Sequence, residues 1–213
     1  MEKRMDFLPI SMQRAQRDIQ RCGLATKIQD YDLMQHSYGV LSISCDLVRL
    51  LGLEPLSQEE VELIMRHDLA ETFTGDLPWV VKNMTAEIEE KWSFIEDAVL
   101  QEKAKGYPEL EKYSDSNINK TLSAEKLKIF KIADMLDLLL YCCKEKELGN
   151  QTTEMGVIFN NALKITLSRI QDFCKDMRNP VWKEEALAVF RVYLRSSKFP
   201  CFLKCPELEI LED

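Results

Sequence analysis

The stretch SQEEVELIMRHDLAETFTGDLPW, Ser57 to Trp79, decides how this chain folds. Its first four residues form a capping box: a serine side chain can accept from the backbone three residues on, and the glutamate there can answer back. The box opens a helix whose inward positions include Val61, Ile64 and Met65 and whose last turns carry His67, Asp68 and Glu71. Thr74-Gly75-Asp76-Leu77-Pro78 closes it, because glycine and proline both interrupt helical hydrogen bonding. One of only two histidines in 213 residues is thus placed beside an aspartate where a helix runs into a turn.

Helical periodicity continues on both sides. From about Met34 to Leu51, residues His36, Val40, Ile43, Leu47 and Leu50 recur at steps of three and four, forming one amphipathic stripe. A further helix runs from about Met84 to Lys105, and the polar EKYSDSNINKT, residues 111 to 121, reads as a surface loop. Ser123 can cap the next helix, where Leu127, Phe130, Asp134, Asp137 or Leu138, and Tyr141 share a face until Gly149-Asn150. Two more helical patterns occupy about 151 to 176 and 180 to 196, followed by a short tail. There is no alternating strand pattern, internal repeat or composition shift, so the expectation is one compact all-α helical domain over residues 1 to 213.

Composition narrows the function classes. A formal charge of −8 and a pI near 5.0 argue against a broad binding surface for nucleic acid or an anionic membrane. No apolar run approaches the roughly 18 to 20 residues that cross a bilayer; the best candidate, ADMLDLLLYCC, is short and carries two aspartates. The first residues lack a signal-peptide core, so the expected location is the cytoplasm. Seven cysteines, an odd number without C-x-x-C spacing, read as reduced and mostly buried thiols. Cys201 and Cys205 lie four apart with no histidine near them, a poor zinc pair.

The chemistry concentrates in a few side chains. Adjacent helical residues point about 100° apart, so His67 and Asp68 diverge from a flat surface yet can converge on one point between them, as at a metal ion. His36 lies on the apolar stripe of the preceding helix and Asp134 on the apolar face of a later one, so each is expected to be buried. A buried carboxylate is costly without a cation, and two imidazoles with two carboxylates suit Mn, Co, Fe or Zn. A lone histidine on an apolar face is ordinarily a core residue with a satisfied hydrogen bond. Three inward faces bearing such groups together are what point to a metal. Glu71, four residues after His67, shares its face and can act as a general acid or base, with a surface salt bridge as the alternative.

These residues resemble a known family. His36, His67-Asp68 and Asp134 reproduce the H…HD…D order of HD-domain metal-dependent phosphohydrolases. HDLAETFTGDLPWVVK is similar to the HD-x-x-E-x-x-T-G-D-x-P-x-P-V-K signature of bacterial 5′-deoxynucleotidases, KIADMLD to their K-x-A-D segment, and QHSYGV to their E-H-S element. The resemblance spans roughly residues 14 to 150. It implies an all-helical HD fold in which His36, His67, Asp68 and Asp134 hold one divalent metal (Mn, Co, Zn, Fe or Mg). It also implies a homodimer that hydrolyses nucleoside monophosphates, with apolar C-terminal positions such as Val189, Phe190 and Tyr193 serving a core or an interface. Arg21 falls where the family sets an arginine against the phosphate, a group that suits a guanidinium fork. Asp76 is placed to accept from a sugar hydroxyl or to orient the phosphate side, with a turn-stabilising role as the alternative. Lys131, one turn before Asp134, can neutralise that carboxylate or the phosphate, or stand as a surface lysine.

Three residues depart from the pattern. Cys22 stands where the family has a tryptophan that rejects the ribose 2′-hydroxyl, which leaves sugar selectivity open; Gln35 replaces an acidic residue and Val80 a proline. Two other activities compete: a deoxynucleoside triphosphate triphosphohydrolase on the same scaffold, and a catalytically silent nucleotide-binding protein. The acidic chain disfavours the first, and a retained Glu71 disfavours the second. With both histidines already used, a histidine-rich multi-metal phosphodiesterase site cannot be assembled.

Overall fold

The computed structural model describes residues 8–78, 81, 85–177 and 180–200. Val80, Met84, Cys201 and Cys205 lie outside that set. The protein is all-α as expected: among the described residues the only β pairing is an isolated antiparallel bridge between Gln20 and Asp32. No helix among them is long and apolar enough to cross a membrane. Contacts sort the chain into two compact units that alternate along the sequence.

The first unit takes the described residues up to Leu24, Asp30–Gly39 and Ser57–Ser123. It contains α1 (Ile10–Ala15), the opening turns of α2 (Leu33–Leu50), α3 (Gln58–Met65), α4 (Glu71–Thr74), α5 (Ala86–Ala104), a 3-10 stretch Pro108–Tyr113 and α6 (Asp115–Thr121). The capping box at α3 forms: the Ser57 hydroxyl accepts from the Glu60 amide at 3.2 Å, and the Glu60 carboxylate accepts from the Ser57 amide at 2.7 Å. A second box opens α2, where Asp32 accepts from the Gln35 amide at 2.8 Å and Gln35 accepts from the Asp32 amide at 3.0 Å. The departure at Gln35 therefore has a local reason, since its side chain starts the helix that carries His36.

Three expectations for this unit are corrected. On α3 the buried stripe is Glu60, Leu63 and Ile64, while Val61 and Met65 are half-buried, a rotation of about one position. Helix α3 also stops at Met65, ahead of the histidine, because Arg66, His67, Leu69 and Glu71 donate to carbonyls three residues back. The third concerns residues 111 to 121, which lie largely at the surface as expected but are helical rather than a loop. Pro108 starts a 3-10 turn, Ser114 caps α6 by accepting from Asn117, and Tyr113 and Ile118 are each 1% exposed. Two widely spaced apolar residues in a polar run anchor that segment, whose other residues stay at the surface or half-buried.

The second unit takes Ala25–Gln29, Val40–Leu56 and the described residues from Ala124 onward. Helix α7 (Ala124–Glu147) is buried on nearly all sides, with Ile129, Ile132, Leu139 and Cys142 fully enclosed. Helices α8 (Thr153–Lys175) and α9 (Pro180–Ser196) meet through Phe173 and Phe190, whose rings pack edge to face at 5.9 Å. Along α2, Val40, Ile43 and Leu47 are buried as the stripe requires, but Leu50 is exposed at the helix end. Cys142, Cys143 and Cys174 are buried, whereas Cys45 is exposed.

Glu145 fastens a loop in this unit. Its carboxylate, fully buried, accepts from the amides of Ile28 and Gln29 at 2.8 Å each and from Asn150 Nδ2 at 2.7 Å. Burial alone pushes the Glu145 carboxyl up, but donation from Asn150, Ile28, Gln29 and Tyr141 holds it below the usual glutamate range. A depressed folded value means that the stabilisation is complete above the unfolded value, about 4.3, and is lost as pH falls through the folded one. Denaturant titrations should show the wild type losing stability below that pH. Glu145→Gln should be about 1 to 3 kcal/mol less stable at pH 7, with a flatter acid limb.

Candidate metal centre

The first unit brings Arg21, His36, His67, Asp68 and Glu71 into one place. His36 enters from the first turn of α2 and is completely buried, while His67 and Asp68 sit in the turn between α3 and α4. Asp68 Oδ2 lies 3.2 Å from His67 Nε2 and 3.5 Å from His36 Nε2, and the two imidazole rings are 5.2 Å apart at 61°. Nitrogen and oxygen ligands about 2.0 to 2.2 Å from one ion stand roughly 3 to 3.5 Å from each other, so this spacing fits a shared cation.

The hydrogen bonds on the far side of each ring fit the same role. His67 Nδ1 lies 2.8 Å from the Ile64 carbonyl, which can only accept, so Nδ1 carries the proton and Nε2 presents its lone pair. His36 Nδ1 lies 2.9 Å from the Tyr31 hydroxyl, which can take either part. The i to i−3 relation of His67 to Ile64 explains why the turn replaces the expected helix: ring and backbone of His67 both address that carbonyl.

Asp68 already has a cation within the chain. Arg21 Nη1 donates to Asp68 Oδ2 at 2.6 Å and to Glu71 Oε2 at 3.5 Å, and Glu71 is 5% exposed. Burial pushes Arg21 down, yet Glu71, Asp68, Asp76 and Tyr31 together hold it well above its ordinary value. Burial would raise the Asp68 carboxyl, but the neighbouring His67 imidazole, the Arg21 guanidinium and the His36 imidazole hold it well below the usual carboxylate range. His67, Asp68 and Glu71 face a cleft whose other wall carries Glu96, Asp97 and Tyr113, an acidic lining that attracts cations.

The remaining sequence candidates are placed as follows. Asp76 follows Gly75, whose φ of 80° is open to glycine and strained for other residues, and its charge acts on Arg21. Cys22 is part-buried and adopts φ 56° beside Arg21. Asp134, on α7 in the second unit, is not buried as expected: its side chain is 25% exposed and lies 3.6 Å from Arg169 of α8. Arg169 also donates to the carbonyl of Lys131, whose ammonium lies 5.2 Å from the centre of the Phe130 ring. Tyr31, the Ile64 carbonyl and Arg169 were not singled out from the sequence. Tyr31 alone left a signal there, as the residue just before the D-x-x-Q box.

Comparison with known proteins bears on this site. The family model for 5′-deoxynucleotidase YfbR-like proteins matches residues 10–181. A 5′-deoxynucleotidase of Shewanella oneidensis is 30% identical over 171 residues, covering 78% of this chain and 83% of that protein. One from Vibrio atlanticus is 30% identical over 144 residues, covering 65% and 74%. Among solved structures, a cyanophage S-2L HD phosphohydrolase bound to dA and one catalytic Zn2+ ion has a TM-score of 0.65 at 20% identity, covering 91% of this chain and 99% of that one; it shares the fold.

The Arg21–Asp68 pair is mostly shielded from water, with side-chain exposures of 16% and 19%. In chelator-treated protein, Asp68→Asn should cost about 3 kcal/mol in urea unfolding, because it takes the nearer carboxylate from a buried guanidinium. The double variant with Arg21→Gln should lose less than the sum of the two single losses.

Proposed function

The chain belongs to the YfbR-like 5′-deoxynucleotidase family, and from that membership and the site's geometry we propose a metal-dependent phosphomonoester hydrolase that converts (deoxy)nucleoside 5′-monophosphates to nucleoside and phosphate. The observation that carries the reading is the approach of His36 Nε2 and His67 Nε2 to within 3.5 Å of Asp68 Oδ2, beside a buried Glu71. His36, His67 and Asp68, joined by Asp134 of the second unit as the family order implies, hold one divalent ion. Two imidazoles favour Mn, Co, Zn or Fe over Mg. Such an ion supplies polarisation of a phosphoryl oxygen and a water acidic enough to attack near neutral pH.

The chain's own groups do the rest. Glu71 accepts the proton of the attacking water or returns one to the leaving 5′ oxygen. Arg21 donates to the phosphate oxygens, with the charge of Asp76 among those that keep it in place or with Asp76 accepting from the sugar. Lys131 adds positive charge on the phosphate side. A small thiol at Cys22 leaves the sugar face open, so ribonucleotides are hydrolysed along with deoxyribonucleotides. The reading extends to a cytoplasmic homodimer; Trp182 and Val192 of α9, 63% and 67% exposed, supply apolar surface for an interface, while Phe190 belongs to the core.

Colorimetric phosphate release from ribo- and deoxyribonucleoside mono- and triphosphates, with Mn2+ or Co2+, tests this. Orthophosphate from monophosphates of both sugars is the expected result. Inorganic triphosphate released from triphosphates moves the assignment to a triphosphohydrolase, and no product with any metal moves it to a silent binding protein. Glu71→Gln should retain metal and lose about 10² to 10⁴ in kcat. Arg21→Gln should raise KM by roughly 10- to 100-fold, the worth of a charged hydrogen bond.

A further inference from the structure

We infer that Tyr31 is a positioning residue whose phenol oxygen accepts the Nδ1 proton of His36, keeping the Nε2 lone pair of that ring directed at the ion. The inference rests on the metal-dependent reading above and adds to it a residue that neither the motif nor the family signature contains.

The argument begins from an asymmetry between the two imidazoles. His67 is locked by a backbone carbonyl, 2.8 Å from its Nδ1 and able only to accept. His36 is completely buried and has at 2.9 Å the hydroxyl of Tyr31, itself 5% exposed. A hydroxyl can donate or accept. If it donates, the neutral ring carries its proton on Nε2, the atom 3.5 Å from Asp68 Oδ2, and that nitrogen cannot bind a cation. If it accepts, the proton is on Nδ1 and Nε2 is a ligand. Two neighbouring ligand groups, His67 Nε2 and Asp68 Oδ2, favour the second arrangement once a cation stands among them.

Tyr31 is held firmly enough to act this way. Its carbonyl accepts from the Arg21 amide at 2.8 Å, and Leu33 donates to Ile19 at 3.0 Å, so a short bridge fixes the backbone on both sides. Its ring meets the His36 ring edge-on, at 5.9 Å and 81°. One residue therefore sets the ring of the buried histidine through its side chain and the backbone of Arg21 through its main chain.

Tyr31→Phe removes the hydroxyl and keeps the ring contact and the main-chain bridge. In Mn2+ titrations followed by electron paramagnetic resonance, the variant should bind 10- to 100-fold more weakly than the wild type, with its metal-free melting temperature close to wild type. At saturating Mn2+, KM should be unchanged. Equal or tighter Mn2+ binding by the variant overturns the inference. Because the chain has only two histidines, imidazole 15N spectra of Zn2+-loaded wild type give a second reading that needs no variant. The expected His36 signal is an Nδ1-protonated, Nε2-ligated ring, and an Nε2-protonated ring overturns the inference. Wild type that takes up Mn2+ but releases no phosphate from any nucleotide refutes the proposed hydrolase and leaves Tyr31 standing. Wild type that takes up no divalent ion refutes both.

Discussion

A single carboxylate oxygen organises this site. Asp68 Oδ2 is approached by Arg21 at 2.6 Å, His67 at 3.2 Å and His36 at 3.5 Å, and these residues come from three separate stretches of chain. Each stretch has a local device that delivers its side chain. The bridge between Gln20 and Asp32 carries Arg21, the Asp32–Gln35 box starts the helix bearing His36, and the run of three-residue turns after Met65 turns His67 and Asp68 inward. Because a buried carboxylate needs compensating charge, these devices are interdependent, and loss of any one leaves the oxygen undercompensated.

Much of this was legible beforehand. The capping box at Ser57, the period of α2 and the breaks at Gly75 and Gly149 are local signals, and both glycines have the positive φ that suits them to end a helix. The two histidines, Asp68 and Glu71 stood out in the H…HD and E-x-x-T-G-D motifs, and Arg21 in the family pattern. What escaped was set by tertiary context. The polar run from 111 to 121 was claimed by Tyr113 and Ile118, which found a core to enter. The helix expected through His67 ended early, since the imidazole competes for the Ile64 carbonyl. Asp134 was expected to be buried on its apolar face, but it lies at a more open position with Arg169, a residue 35 positions later that no local pattern links to it.

The second unit solves a similar problem with neutral partners. Glu145 is buried among neutral donors, its charge being spread over two backbone amides and an asparagine amide. Asn150 also donates to the Thr26 carbonyl at 2.8 Å and so holds the same loop at a second point. The two carboxylates differ accordingly: Glu145 is spent on holding a loop, while Asp68, facing an arginine and two imidazoles beside a cleft, keeps chemistry within reach.

The Arg21–Asp68 contact has one more consequence. Many small metalloproteins are unfolded until an ion arrives, because their ligands repel one another or lack a counter-charge. Here the polypeptide brings its own positive charge to the carboxylate that an ion would occupy, so the native state can be reached during a shortage of metal. The charge that balances Asp68 is therefore already in place within the polypeptide before any ion arrives.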